Sequence, residues 1–404
     1  MTTTDALRYF VIPLSIQKEE DFYLVGNADI GDFYQIPESG VTILNMLRSG
    51  NTVAAVKSAL AATSPDLLDV DGFLSQMSDI GLIYLEQEKA RFDQDLRAKS
   101  QKARRVFSVD ARFANAIFSL PVLVCYLAIV GYALLSMIYN PSLRINWSAF
   151  YTETNRTPLL LLILLLYFIN VVMHELGHML AAARHGIKSQ YGISNRLWYV
   201  VAESDLTGTM SLPKAQRYLP LFAGILVDLL NISLLTILLS SLLQSGADPF
   251  VIKITQVLVL QIFLSIGWQF NIFMKTDIYY VLCIYLSYPD LDQDARVYLN
   301  DLAARLSFGR FGSRSTSIKY KNVGVLRLFC VIWLFGRIFS LLVLFGVFLP
   351  TIWKYILSAI ESFKGPPASL WHAYDTMIFA IITLTFTGTG MYMWLKDRRA
   401  QPSA

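Results

Sequence analysis

Charge is scarce in this chain. Only 16% of its 404 residues are Asp, Glu, Lys or Arg, against about 25% in ordinary soluble domains. That shortfall excludes a water-soluble protein of usual composition. The 54% hydrophobic content and mean hydropathy of +0.47 point to a membrane protein instead. Cysteine is scarce too. Cys125, Cys283 and Cys330 are odd in number and lie in apolar segments, which argues against a disulfide framework and leaves them as small packing residues. Basic residues are few near the start: residues 1–88 hold Arg8, Lys18, Arg48 and Lys57, too scattered for a phosphate-binding patch, so no nucleic acid is expected as a partner. The net charge of +4 is mild and reads as loop charge beside a membrane. The opening MTTTDALRYF is polar, with no apolar run behind a basic start, so no secretory signal is expected there.

What the chain does have is long apolar runs. A spanning helix needs about 20 mostly apolar residues. Six stretches qualify, at roughly 115–139, 157–181, 218–243, 250–272, 325–349 and 372–395. Lys and Arg favour the cytoplasmic loops. They concentrate before the first span, after the second (Arg184, Lys188, Arg196, Lys214, Arg217), after the fourth and in the tail (Lys396, Arg398, Arg399). Both termini are therefore expected in the cytoplasm, with the chain integral to a membrane, a bacterial cytoplasmic membrane by expectation.

Residues 1–88 read differently. Tyr9–Ile16, Phe22–Val25 and Asp32–Ile36 alternate as short strands. Val41–Arg48, Thr52–Ala62 and Gly72–Asp79 read as helices, with Asp69 or Asp71 able to cap the third, and Leu82–Leu85 as a last strand. The fold class expected is an α-helical polytopic membrane protein carrying a small N-terminal α+β, winged-helix-like soluble domain. The charged stretch 89–112 reads as a helical linker whose Lys99–Arg105 cluster rests on anionic headgroups of the bilayer. Between the second and third spans, the stretch near 187–212 alternates and carries turn residues, as a hairpin does. Its Glu203 and Asp205 read as solvated.

The second apolar run ends in VVMHELGHML, residues 171–180. Ionisable groups inside a span are rare and mark function. The whole chain has four histidines, and two of them, His174 and His178, fall here four apart, on one helix face. Two imidazoles so placed can share a metal ion. Glu175 beside them can take a proton from a zinc-bound water. A third protein ligand is needed. His185 lies past the helix and reads as a loop residue; His372 begins the last span on the opposite side. Asp277, in FNIFMKTDIYYVL after the fourth span, lies on the same expected side as His178 and is flanked by Phe, Ile and Tyr. Metal binding would offset its burial. The milder reading pairs Asp277 with Lys275. Asp228, within FAGILVDLL, reads as a structural hydrogen-bonding residue rather than a catalytic one.

These residues carry a resemblance. HELGH in a spanning helix, followed by a later Asp after an Asn, resembles the site-2 protease family of intramembrane zinc metalloproteases over roughly residues 157–290. The resemblance implies that His174, His178 and Asp277 bind zinc and that Glu175 activates water. Asn271-Ile-Phe-Met-Lys-Thr-Asp277-Ile-Tyr-Tyr is similar to the Asn-Pro-x-x-Lys-x-Asp-Gly-Tyr-Tyr form of peptide-maturation members. Ile272 replaces the Pro and Ile278 the Gly. Asn271 is then a candidate to hydrogen-bond substrate or oxyanion, and residues 113–404 form a six-helix metalloprotease domain. The hairpin near 187–212 would pair with an unwound substrate as an added strand. Asp228 resembles a family position near Ala-Gly-Pro, with the Pro missing. Residues 1–88, through DFYQIPESGVTILNMLRSGNTVAAVKSAL and VDGFLSQMSDIGLIYL, resemble PqqD-like peptide-recognition domains, which bind a leader peptide. The expected activity is hydrolysis of a peptide or membrane-bound precursor, such as a ribosomally made peptide whose leader docks on residues 1–88. Two other readings are a non-catalytic peptide-binding membrane factor for immunity or export, and regulated proteolysis of a membrane-anchored transcription regulator.

Overall fold

The computed structural model describes residues 8–27, 32–63, 69–88, 94, 106–107, 109–147, 149, 156–196, 199–308, 320–350, 353–354, 356–357, 360 and 370–400. Most of the expected linker over 89–112 lies outside them. The described chain divides into two compact units. One comprises Met1–Asn115, Met179–Tyr191 and Ser204–Pro220. The other comprises Ala116–His178, Gly192–Glu203 and Leu221–Ala404.

The first unit begins with β1 (Tyr9–Val11), β2 (Ser15–Lys18), β3 (Tyr23–Asn27) and β4 (Asp32–Ile36). The single strand expected over Tyr9–Ile16 is split in two around Pro13, which has no N–H to give a ladder. β2, β3 and β4 form an antiparallel sheet in that order, with Val25 opposite both Ile16 and Tyr34. Three helices follow: α1 (Glu38–Arg48), α2 (Val53–Thr63) and α3 (Val70–Asp79). α1 starts three residues before the apolar period does, because Pro37 presets an extended entry and Glu38 suits the positive end of the helix. Asp69 caps α3, accepting from the Gly72 N–H at 2.9 Å. β5 (Ile83–Leu85) then returns to pair antiparallel with β1. The core is a cluster of Val11, Ile12, Val25, Ile36, Ile43 and Leu44 with their neighbours, all nearly sealed from solvent.

Residues 1–88 pack against a later stretch of the same unit. The Ser15 hydroxyl and the Gln17 amide both donate to the Ser211 carbonyl, at 3.1 and 2.7 Å. Arg217 Nη1 donates to Glu19 Oε1 at 2.6 Å, with both side chains no more than 5% exposed. Arg217 Nε meets the Leu212 carbonyl at 2.8 Å. The short strand β6 (Val106–Phe107) pairs antiparallel with the start of β7 (Ser189–Arg196), and β8 (Tyr199–Asp205) follows in the sheet order β6-β7-β8. The expected hairpin is thus present. Asp205 is exposed and caps the turn at Thr207, accepting from its N–H and hydroxyl.

The second unit is mainly helical: α4 (Ala111–Ile117) leads into it, and it holds α5 (Leu120–Tyr139), most of α6 (Arg156–Ala183) and of α7 (Lys214–Ser245), α8 (Pro249–Trp268), α9 (Asp277–Tyr285), α10 (Leu291–Leu306), α11 (Val323–Val343) and α12 (Leu370–Ala400). Five helical stretches are long and apolar enough to cross a membrane: Leu120–Tyr139, Leu161–Ala183, Lys214–Ser245, Pro249–Trp268 and Val323–Gly346. The sixth expected span falls in α12, whose described apolar stretch, Met377–Met393, is shorter. α5 keeps Leu123, Val124, Leu127, Leu134 and Ile138 exposed, an apolar surface that suits lipid and not water. Polar groups secure the helix starts. Asp248 caps α8 through the Phe250 N–H, and Asn322 caps α11 through the Val325 N–H. The α6 start is capped from another helix: buried Asp375 of α12 accepts from the Thr157 N–H at 2.7 Å. All three cysteines are free.

Removing one partner of a buried ion pair leaves an uncompensated charge, at a cost of about 3–5 kcal/mol. Glu19→Ala should therefore expose residues 1–88 to limited proteolysis at protease levels that leave the wild type intact, while Lys57→Ala, which breaks an exposed pair with Asp71, should not.

Candidate metal centre

Two helices approach closely because each offers a glycine at the crossing. A Cβ on Gly177 of α6 would stand 2.9 Å from the Ala223 carbonyl oxygen and 2.7 Å from Val227 Cγ2 of α7. In return, a Cβ on Gly224 of α7 would collide with Nε2 of both His174 and His178. The bare backbone at Gly224 therefore makes the floor on which the two imidazoles rest.

The third side chain comes from the turn after α8. That turn runs through a 3-10 segment, Ile272–Met274, and reverses at Lys275, whose φ of 56° and ψ of 46° are left-handed. A lysine pays about 1–2 kcal/mol for that conformation, so other contacts must hold it. Thr276 donates its hydroxyl to the Gln269 carbonyl at 2.6 Å, and the Asp277 N–H meets Gln269 Oε1 at 3.2 Å. Asp277 thereby becomes the first residue of α9 with its carboxylate turned to α6.

The result is a triangle of donor atoms. His174 Nε2 and His178 Nε2 are 3.1 Å apart, and Asp277 Oδ2 is 3.2 Å from each. His174 and His178 are 8% and 2% exposed. The Asp277 side chain is less enclosed, 23% exposed. Lys275 does not pair with it; the Lys275 ammonium reaches Asp292 instead, at 2.9 Å.

Behind His174 stands a relay of amides and a carboxylate. Asp228 Oδ2 lies 2.9 Å from His174 Nδ1. Asn170 donates to Asp228 Oδ1 at 3.0 Å, and Asn231 donates to Asn170 Oδ1 at 2.8 Å. Asp228 is fully buried. Asp228 can only accept there, so the neutral His174 ring carries its proton on Nδ1 and presents Nε2 as a lone pair. That lone pair faces a second imidazole nitrogen and a carboxylate oxygen. One proton can bridge a single pair of these atoms. A cation satisfies all three. Donors around a tetrahedral zinc, at about 2.0–2.1 Å, stand about 3.3 Å apart, close to the separations here. His174, His178 and Asp277 thus form a group that can hold a metal ion, and no other such group occurs among the described residues.

The remaining sequence candidates fall around this triangle. Glu175 is buried, next to His174 on α6, and is not part of the donor group. Asn271 donates its amide to the Trp268 carbonyl at 3.0 Å, closing the α8 turn. His185 is half-buried in the turn after α6, where burial and the Arg184 guanidinium push its imidazole down. His372 sits in the first turn of α12. Asp228 has the hydrogen-bonding role expected of it. Asn170, Asn231 and Gly224 are not among the sequence candidates. A signal for them was available: Asn170, His174 and His178 repeat every four residues in an apolar helix, and Gly224, Asp228 and Asn231 lie at four and three on the next one.

Gly224→Ala should keep the protein folded and reduce metal affinity by about tenfold or more, as read by chelator competition, because the added methyl occupies the space of both Nε2 atoms. Asp228→Ala should lower affinity to a similar degree, and Asp228→Asn less, since an amide oxygen still accepts from Nδ1. No protein-family model, no curated protein and no solved structure matches this chain.

Proposed function

We propose that this protein is a membrane-embedded zinc metalloprotease of the site-2 protease type, hydrolysing a peptide bond in a peptide or membrane-bound precursor. The observation that carries this reading is the convergence of two imidazoles on the buried face of an apolar helix with the carboxylate of Asp277, their three donor atoms within 3.2 Å of one another, and a buried glutamate beside them.

His174, His178 and Asp277 would hold the metal. Zinc, when bound, acidifies water to a pKa of about 7 and polarises a carbonyl. The residues of the chain do the rest. Glu175 is the general base that takes the proton of the attacking water, and then the acid that returns it to the leaving amine. It is suited to that exchange because it is outside the ligand triangle and sealed from bulk water. Asp228 keeps His174 in the tautomer that leaves Nε2 free, while Asn170 and Asn231 orient Asp228 in turn.

Substrate recognition has two supports. β8 is a terminal strand in the order β6-β7-β8, so an extended polypeptide can be added along it. A bond in a helix is inaccessible to a nucleophile until the helix unwinds, and strand addition holds the unwound form. β4 is likewise terminal in its own sheet, among the described residues, and suits a leader peptide in the same manner. A ribosomally made precursor with a leader that docks on residues 1–88 meets both requirements.

Glu175→Gln tests the catalytic reading. The purified full-length variant should bind metal as the wild type does and cleave labelled casein about 10²–10⁴-fold more slowly. Cleavage at the wild-type rate, or biological activity undiminished in that variant, would sink the hydrolase reading in favour of a non-catalytic peptide-binding factor.

A further inference from the structure

The metal-centre reading leaves one buried charge cluster unused. Asp292, near the start of α10, has a side chain 5% exposed. It accepts from the Lys275 ammonium at 2.9 Å, from Arg296 Nη2 at 2.9 Å and Nε at 3.0 Å, and from the Trp333 indole of α11 at 3.2 Å. Its own N–H meets the Tyr279 hydroxyl of α9 at 3.2 Å. Burial would raise this carboxyl, yet the Lys275 and Arg296 charges hold it below the usual range, so it is an anion. Around it, Tyr279, Leu291, Ala295 and Phe329 form one apolar cluster that joins α9, α10 and α11.

An anion placed there has one partner that bears on the metal centre. Lys275 is the left-handed residue of the turn, two positions before Asp277. The bonds of Gln269 fix Thr276 and the Asp277 N–H, while Lys275 itself has a backbone bond to the Ile272 carbonyl, at 3.2 Å, and the ion pair of its side chain. Its side chain reaches the hub, which Tyr279 and Trp333 join to two further helices.

We infer that Asp292 is a positioning residue for the metal centre. Its ion pair with Lys275 holds that residue in the left-handed turn from which Asp277 presents its carboxylate to His174 and His178. The inference rests on the proposed metal reading, and predicts a defect in metal affinity from residues that touch no ligand atom.

The experiment is cobalt(II) binding by the full-length protein in detergent, measured by chelator competition and by the visible absorption of the bound ion. Asp292→Asn and Lys275→Ala should each weaken binding about tenfold to a hundredfold and alter the cobalt spectrum. The double variant should be no weaker than the worse single one, because both break one pair. Lys275→Gly should stay nearer the wild type, since glycine adopts the left-handed conformation without an anchor. Arg305→Ala, which breaks an exposed pair on α10, should bind as the wild type does. Wild-type affinity in Asp292→Asn, or equal loss in Lys275→Gly and Lys275→Ala, would overturn the inference while leaving the metal reading in place. If Asp292→Asn does not fold, the Gly and Ala variants at 275 decide alone. A wild type that binds no cobalt overturns the metal reading and this inference together.

Discussion

Three electron-rich atoms face one another at 3.1–3.2 Å in a setting with little water. That juxtaposition is the constraint on which the helical unit depends. In a low dielectric, uncompensated acceptors repel strongly, and a fold that brings them together needs a positive charge among them. The alternative is a shared proton, which serves one pair and leaves the third atom exposed to both. On the proposed reading, a metal ion would answer the geometry and the charge at once, with the surrounding groups arranged as donors and acceptors in series.

The rest of the helical unit follows from holding this triangle. Gly177 and Gly224 remove the two side chains that would keep α6 and α7 apart. Asp228, Asn170 and Asn231 spend their hydrogen bonds on the orientation of one imidazole. Asp375 of α12 secures the first turn of α6, the helix that carries both histidines. On the third side, Gly336 of α11 gives room to Phe273 in the turn before Asp277, since a Cβ there would collide with the ring. Each device is local and modest. Together they restrict the three side chains of the triangle, the preorganisation that a binding site requires.

Much of this was legible in the sequence. The spacing of His174 and His178 announced one helix face, and the apolar run before them announced the helix. The strands at Tyr23–Asn27 and Asp32–Ile36, and the α3 cap at Asp69, lay where alternation and capping chemistry place them. Other features were not legible, for physical reasons. The start of α1 is set by Pro37, which apolar periodicity does not register. The partner of Lys275 is Asp292, 17 positions on, and only the fold chooses it over the nearer Asp277. Glu19 and Arg217 form a pair 198 residues apart, which no local pattern encodes. Asn170 was readable as part of a polar stripe that recurs every four residues, but a lone asparagine in an apolar helix draws little notice until its carboxylate partner is known.

The first unit raises the complementary point. Residues 1–88 are held to Ser211 by part-buried hydrogen bonds and to Arg217 by a buried ion pair, so the strands and helices of this region belong to one unit with the segment that opens α7. The central claim, however, concerns the metal. Elemental analysis of the purified full-length protein in detergent tests it most directly, with the wild type beside Asp277→Ala and a His174→Ala/His178→Ala double variant. The account predicts about one zinc per wild-type chain, reduced in both variants. A well-folded wild type that holds no metal, or one whose metal survives both substitutions, would contradict it.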